Sequence, residues 1–178
     1  MSRVIFSEQQ SFRQTVWIWL IILPVAFGIS LIMMYGFYRQ IVLGQPWGDK
    51  PLSDGGLIAA TAGVIAIEAL TVWVVASLQV SIEITPDEFR YRFFAHFAGW
   101  KTLGRANIMN YSIEKYSFWN GRGLGYRKDP FNKTTRMIIN PAYILTLALD
   151  NGKTLMLSTG NKETLDRAMR RLMSNNET

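Results

Sequence analysis

Between Arg122 and Arg136 the chain carries five basic residues, Arg122, Arg127, Lys128, Lys133 and Arg136, with Tyr126 among them and Asp129 as the only acid. Positive charge interleaved with an aromatic ring suits an anion. The anion could be a lipid headgroup, an acidic protein surface or a stacked single nucleic-acid strand. A solvated loop would have the same composition, so the residues leave lipid, protein and solvent open. No RNP-like or helix-turn-helix pattern accompanies the cluster, and nucleic acid is set aside. The glycines of NGRGLGYRKDPFNK are not followed by Gly-Lys-Ser/Thr or by a helix start, so no phosphate-cradling loop of that kind is expected.

A second residue type out of place is Glu68, the one acid in the apolar run of residues 57–80. A carboxyl group at mid-membrane is expensive and marks a functional position by default. Two roles are open for it. One is proton or ion transfer within an oligomer. The other is a hydrogen bond to Ser30 or a backbone carbonyl on a neighbouring helix, acting as packing glue.

Other chemistry is scarce. Cysteine is absent and His96 is the single histidine, which removes thiolate nucleophiles, disulfides and imidazole metal clusters. Glu83, Asp87 and Glu114 are scattered without a paired spacing, and His96 has no adjacent nucleophile. No catalytic residue, metal or cofactor is expected, and the chain reads as a non-enzyme.

The elements that must position these groups fall into two parts. Residues 16–38 form an uncharged apolar run, too long for a signal peptide and bordered by Trp17, Trp19, Tyr35 and Tyr38 as interface aromatics. The run 57–80 is the second span, ~36 Å long as a helix against a hydrocarbon core of ~30 Å. Gly44, Pro46, Gly48, Pro51 and Gly55-Gly56 between them predict a helix-breaking loop and an antiparallel hairpin. Trp47 is expected at the membrane interface, and Pro24 is expected to kink the first span. Before it, Ser7-Glu8-Gln9-Gln10 fits a capping box and predicts that the helix starts there.

From Val80 the apolar pattern switches to period two. Val80, Ile82 and Ile84 alternate with polar residues, and after Pro86-Asp87 so do Phe89, Tyr91 and Phe93. Further strands are predicted over residues 100–103, 108–118, 137–140, 142–149 and 154–159, with residues 120–133 as an irregular insert. Asn151-Gly152 predicts the last hairpin turn. Leu165, Ala168, Met169 and Leu172 then recur with helical spacing behind Asn161 as cap. The predicted division is residues 1–80, an N-terminal helix with a two-span hairpin, and residues 81–178, an α+β domain.

Charge follows the same division. Residues 1–80 sum to zero, and residues 81–178 hold 15 basic against 9 acidic side chains, the whole net charge of +6. Near the spans, Arg3, Arg13, Arg90 and Arg92 flank the outer ends while Arg39 and Lys50 lie in the loop. That asymmetry predicts both termini in the cytoplasm.

About seven antiparallel strands and a closing amphipathic helix suggest a pleckstrin-homology (PH)-like barrel. With two spans ahead of it, the chain resembles bacterial membrane proteins that carry a PH-like domain, including the YcxB-like group. The resemblance rests on FSEQQSFRQ, LGQPWGD, ITPDEFRYRF and LTLALDNGKTLMLSTGNKETLDRAMRRL. It implies an inner-membrane protein with a cytoplasmic PH-like module that self-assembles or binds a partner rather than reading phosphoinositides, and it implies no reaction and no site residues. A subunit of a transport or ion-conducting oligomer involving Glu68 is the alternative.

Overall fold

The computed structural model describes residues 3–94, 99–117 and 123–174. The chain divides into two compact units, Met1–Thr15 with Ser77–Thr178, and Val16–Ala76. The predicted boundary at residue 80 therefore becomes two boundaries, with the apolar hairpin inserted into a β-rich unit.

In the apolar unit, α1 (Val16–Phe37) is helical throughout, Pro24 included, and continues through a π-helical turn at Tyr38–Val42. The second helix, α2, spans Asp54–Ser77. Both helices are long and apolar enough to cross a membrane, at 27 residues for Val16–Val42 and 24 for Asp54–Ser77. Most of their side chains point outward, with Leu57 and Thr61 of α2 buried. Leu20, Phe27 and Trp73 are 70%, 66% and 65% exposed, so much of the apolar surface of the two helices is left uncovered by the chain itself.

One detail differs from the sequence expectation. Gly55-Gly56 does not break the helix but lies in its first turn, because Ser53 caps it. The Ser53 carbonyl accepts the Leu57 N–H at 2.8 Å and its hydroxyl accepts the Gly56 N–H at 3.2 Å. The Trp47 ring lies against Gly36, where even an added methyl would overlap it.

The β-rich unit begins before the hairpin. Residues expected to start a helix instead form β1 (Phe6–Ser11), antiparallel to β2 (Gln79–Ile84) with Phe6 opposite Ile84 and Ser11 opposite Gln79. The local capping signal loses to sheet pairing with a strand far along the chain. The alternation in β1 is masked because two of its inward residues, Glu8 and Gln10, are polar. Both are satisfied from β9 (Thr154–Thr159) and the residue after it. Glu8 accepts from Thr159 Oγ1 at 2.6 Å and from the Gly160 N–H at 2.7 Å. Gln10 Oε1 accepts from Ser158 Oγ at 2.6 Å, and Ser158 in turn accepts the Ile139 N–H at 2.9 Å.

β3 (Glu88–Phe94) pairs with β2 as expected and buries Phe89, Tyr91 and Phe93, while β4 (Lys101–Gly104) completes the first sheet in the order β1-β2-β3-β4. The second sheet contains β5 (Ile108–Lys115), β6 (Gly125–Asp129), β7 (Thr134–Ile138), β8 (Tyr143–Leu149) and β9, ordered β5-β8-β9-β7-β6. The expected closed antiparallel barrel of about seven strands is corrected here. Nine strands among the described residues form two sheets, neither closed into a barrel, and β7 runs parallel to β9. The predicted irregular insert contributes β6. Its five residues pair with β7 from Gly125 opposite Ile138 to Asp129 opposite Thr134.

The β8–β9 turn is one residue longer than a two-residue Asn-Gly turn. Gly152 N–H donates to the Leu149 carbonyl and Leu149 N–H to Lys153, enclosing Asp150, Asn151 and Gly152 with Gly152 at φ 71°. The chain ends in α3 (Lys162–Ser174), which buries Leu165, Ala168, Met169 and Leu172 and contacts β1 and β2. At about 1.5–3 kcal/mol per fully buried large apolar side chain, that stripe is what holds the helix to the sheet.

Candidate functional site

Tertiary pairing brings four lysines together. Lys101 lies opposite Tyr91 in the β3–β4 register, and Lys128 lies opposite Thr135 in the β6–β7 register. Lys133 and Lys153 each precede a paired threonine, because the parallel β7–β9 ladder sets Thr134 beside Thr154. The Thr154 N–H donates to the Lys133 carbonyl at 3.1 Å, which holds the two turns together. All four lysines line a cleft of about 410 Å³ in the β-rich unit, and Thr135, Met137, Leu149 and Leu155 also line it.

Tyr91 and Tyr126 form another part of the wall. The Tyr126 ring sits 5.5 Å from that of Phe93, tilted by 46°, so it is clamped against the first sheet. Burial raises the Tyr91 hydroxyl pKa, with Tyr126 adding a smaller push in the same direction.

Asp129 also lines the cleft, but its carboxylate is engaged elsewhere. It accepts the Phe131 N–H at 3.0 Å, the Asn132 N–H at 3.2 Å and Asn132 Nδ2 at 2.7 Å. The hydrogen bonds from Asn132, that from the side chain first, hold its pKa below the usual carboxylate value. Among the described residues, no ion pair neutralises Lys128, Lys133 or Lys153. Lys133 has a left-handed backbone, φ 49°, which lysine rarely adopts. At the tip of the same turn Phe131 is 94% exposed.

The basic cluster of the sequence is thus split. Tyr126, Lys128 and Lys133 line the cleft, whereas Arg127 and Arg136 face each other across the β6–β7 pair outside it. Arg136 Nε is buried with no hydrogen-bond partner among the described residues. Like charges directly opposite each other destabilise a sheet, and the nearby Asp129, whose pKa Arg136 helps to lower, offsets part of this. Arg122 and His96 lie outside the described residues. Lys101 and Lys153 escape a sequence reading because both are far from the cluster along the chain. Their only signal is the pairing of distant strands. Phe131 had a local signal, an aromatic flanked by Pro130 and Asn132 in a turn.

In the apolar unit the structure joins Glu68 to Ser30. Ser30 Oγ donates to Glu68 Oε2 at 2.5 Å, bridging α1 and α2. Glu68 Oε1 is buried without a partner among the described residues. Both residues border an apolar groove that also involves Pro24, Phe27 and Val72. Among the described residues no group of three or more acidic, histidine or cysteine side chains is placed to hold a metal.

Comparison of the chain with protein-family models and with curated proteins gave no match.

Proposed function

We propose that this chain is a non-catalytic, membrane-embedded binding and assembly module. In this reading a two-helix hairpin anchors a PH-like domain at the cytoplasmic face of a bacterial inner membrane, with both termini cytoplasmic. The domain's partner is anionic, in the first instance lipid headgroups. The observation that carries the reading is the convergence of four lysines on one cleft, in a domain whose strands β1 and β2 bracket the apolar hairpin. Pairing of β1 with β2 supports entry and exit of the hairpin on one side of the bilayer. The PH-like assignment is supported by two packed sheets followed by an amphipathic closing helix.

Native mass spectrometry of the full chain extracted in mild detergent tests this reading. The expected spectrum contains protein retaining anionic phospholipid. A symmetric homo-oligomer that carries no lipid would favour the second reading, a transport or ion-conducting subunit. That reading is supported by the unpartnered Glu68 Oε1 beside the intramembrane groove.

A further inference from the structure

We propose that the lysine-lined cleft is a recognition site for a phosphate ester. The inference rests on the reading of the domain as a binder of anions and adds the ligand's chemistry. A carboxylate presents two oxygens in one plane, and the two-pronged guanidinium of arginine meets carboxylate and phosphate alike. A phosphate group is tetrahedral and is well met by point charges arriving from several directions. The cleft supplies the second arrangement. Its basic residues are four lysines, one each from β4, β6, the β6–β7 turn and the β8–β9 turn, and the arginines Arg127 and Arg136 do not line it.

The shape points to an ester rather than bare phosphate. At about 410 Å³ the cleft is far larger than one phosphate group and lies in the ~300–1,000 Å³ range of small-ligand sites. Met137, Leu149 and Leu155 offer an apolar lining for the carbon part of the ligand, and Tyr91 and Tyr126 add aromatic surface.

Lys128, Lys133 and Lys153 are also held ready. Asp129, the one acid in the lining, is committed to the turn residues Phe131 and Asn132. Lys133 sits on a left-handed backbone, and strain of this kind collects at ligand clamps. The ligand's source is either a phospholipid headgroup or a soluble phosphate ester, and both present the same group to the cleft.

Acetylation footprinting of the full chain in nanodiscs, read by mass spectrometry, tests the site and separates the sources. In neutral phosphatidylcholine discs, glycerol 3-phosphate is titrated in. A parallel sample uses discs doped with phosphatidylglycerol. Shielding of Lys128, Lys133 and Lys153, with Lys115 and Lys162 unchanged, is the expected result. If it arises with glycerol 3-phosphate the source is soluble. If it arises only in the doped discs the ligand is a headgroup, and Phe131→Ala should then reduce it. The exposed double variant Lys128→Ala/Lys133→Ala should weaken the shielding of Lys153 roughly tenfold. No shielding in either sample overturns the proposal. Equal shielding of Lys115 and Lys162 in doped discs also overturns it, yet leaves the anionic-surface reading of the module standing.

Discussion

Glu68 and Ser30 form a single hydrogen bond in a part of the chain where few other polar side chains are present. Such bonds between apolar helices contribute about 0.6 kcal/mol on average, because the separated helices also find partners. Ser30→Ala should therefore lower thermal stability in detergent by only that order. Glu68→Gln keeps an acceptor for the Ser30 hydroxyl and should stay within about 1 kcal/mol of the parent. Collapse of the folded hairpin in Glu68→Gln would show that the carboxyl itself is required, which favours the transport reading.

A second residue-scale prediction concerns alkaline pH. Tyr111 donates its hydroxyl to Asp166 Oδ1 at 2.9 Å, and Arg170 Nε donates to Oδ2 at 2.9 Å. Burial first, then the bond to Asp166, pushes the Tyr111 pKa from 10.0 up to about 12. A raised folded-state pKa means that this stabilisation is complete below pH 10 and is lost as the pH climbs through about 12. A thermal-melt series should show stability falling in that window. Tyr111→Phe should remove part of the fall, while Tyr91 and Tyr116, whose pKa values are also raised by burial, keep the rest. Asp166 acts at the other end of the scale, with its pKa lowered chiefly by the Arg170 hydrogen bond. Its contribution is present at neutral pH and is lost as the pH falls through that lowered value.

At the scale of elements, the most exacting contact is between β1 and β9. Gln10 supplies the acceptor for Ser158, which is 0% exposed. Gln10→Ala leaves a buried hydroxyl without that acceptor and should cost about 1–3 kcal/mol, measured by chemical or thermal unfolding. A variant as stable as the parent would mean that water replaces the amide. The same contact explains what the sequence concealed. The β2–β3 hairpin and the stripe of α3 were legible because period two and period 3.6 are local patterns of apolar residues. β1 was not, since its inward positions include Glu8 and Gln10, whose partners lie beyond residue 157. The spans were legible to within a few residues. Ser53 starts α2 earlier than the glycines suggest, and pairing with β1 draws Gln79 out of the helix into β2. Half of the candidate site was visible as the run Tyr126 to Lys133. The other half, Lys101 and Lys153, depends on the β3–β4 register and on a parallel pairing that no periodicity announces.

At the scale of the molecule, the hairpin is an insertion rather than an N-terminal appendage. The β-rich unit opens with β1, loses the chain to α1 and α2, and recovers it at β2. The chain leaves the β-rich unit after Thr15 and re-enters it at Ser77, so a cut at one junction leaves the hairpin tied to that unit at the other. The absence of cysteine makes this arrangement open to a clean measurement. Single cysteines replacing the exposed residues Arg3, Lys50 and Ser174 would be treated with a membrane-impermeant maleimide, in intact cells and in inverted membrane vesicles. Arg3→Cys and Ser174→Cys should label only in inverted vesicles, and Lys50→Cys only in intact cells. Labelling of Arg3→Cys and Ser174→Cys from opposite sides, or of all three from one side, would contradict a membrane hairpin set into a cytoplasmic β-domain.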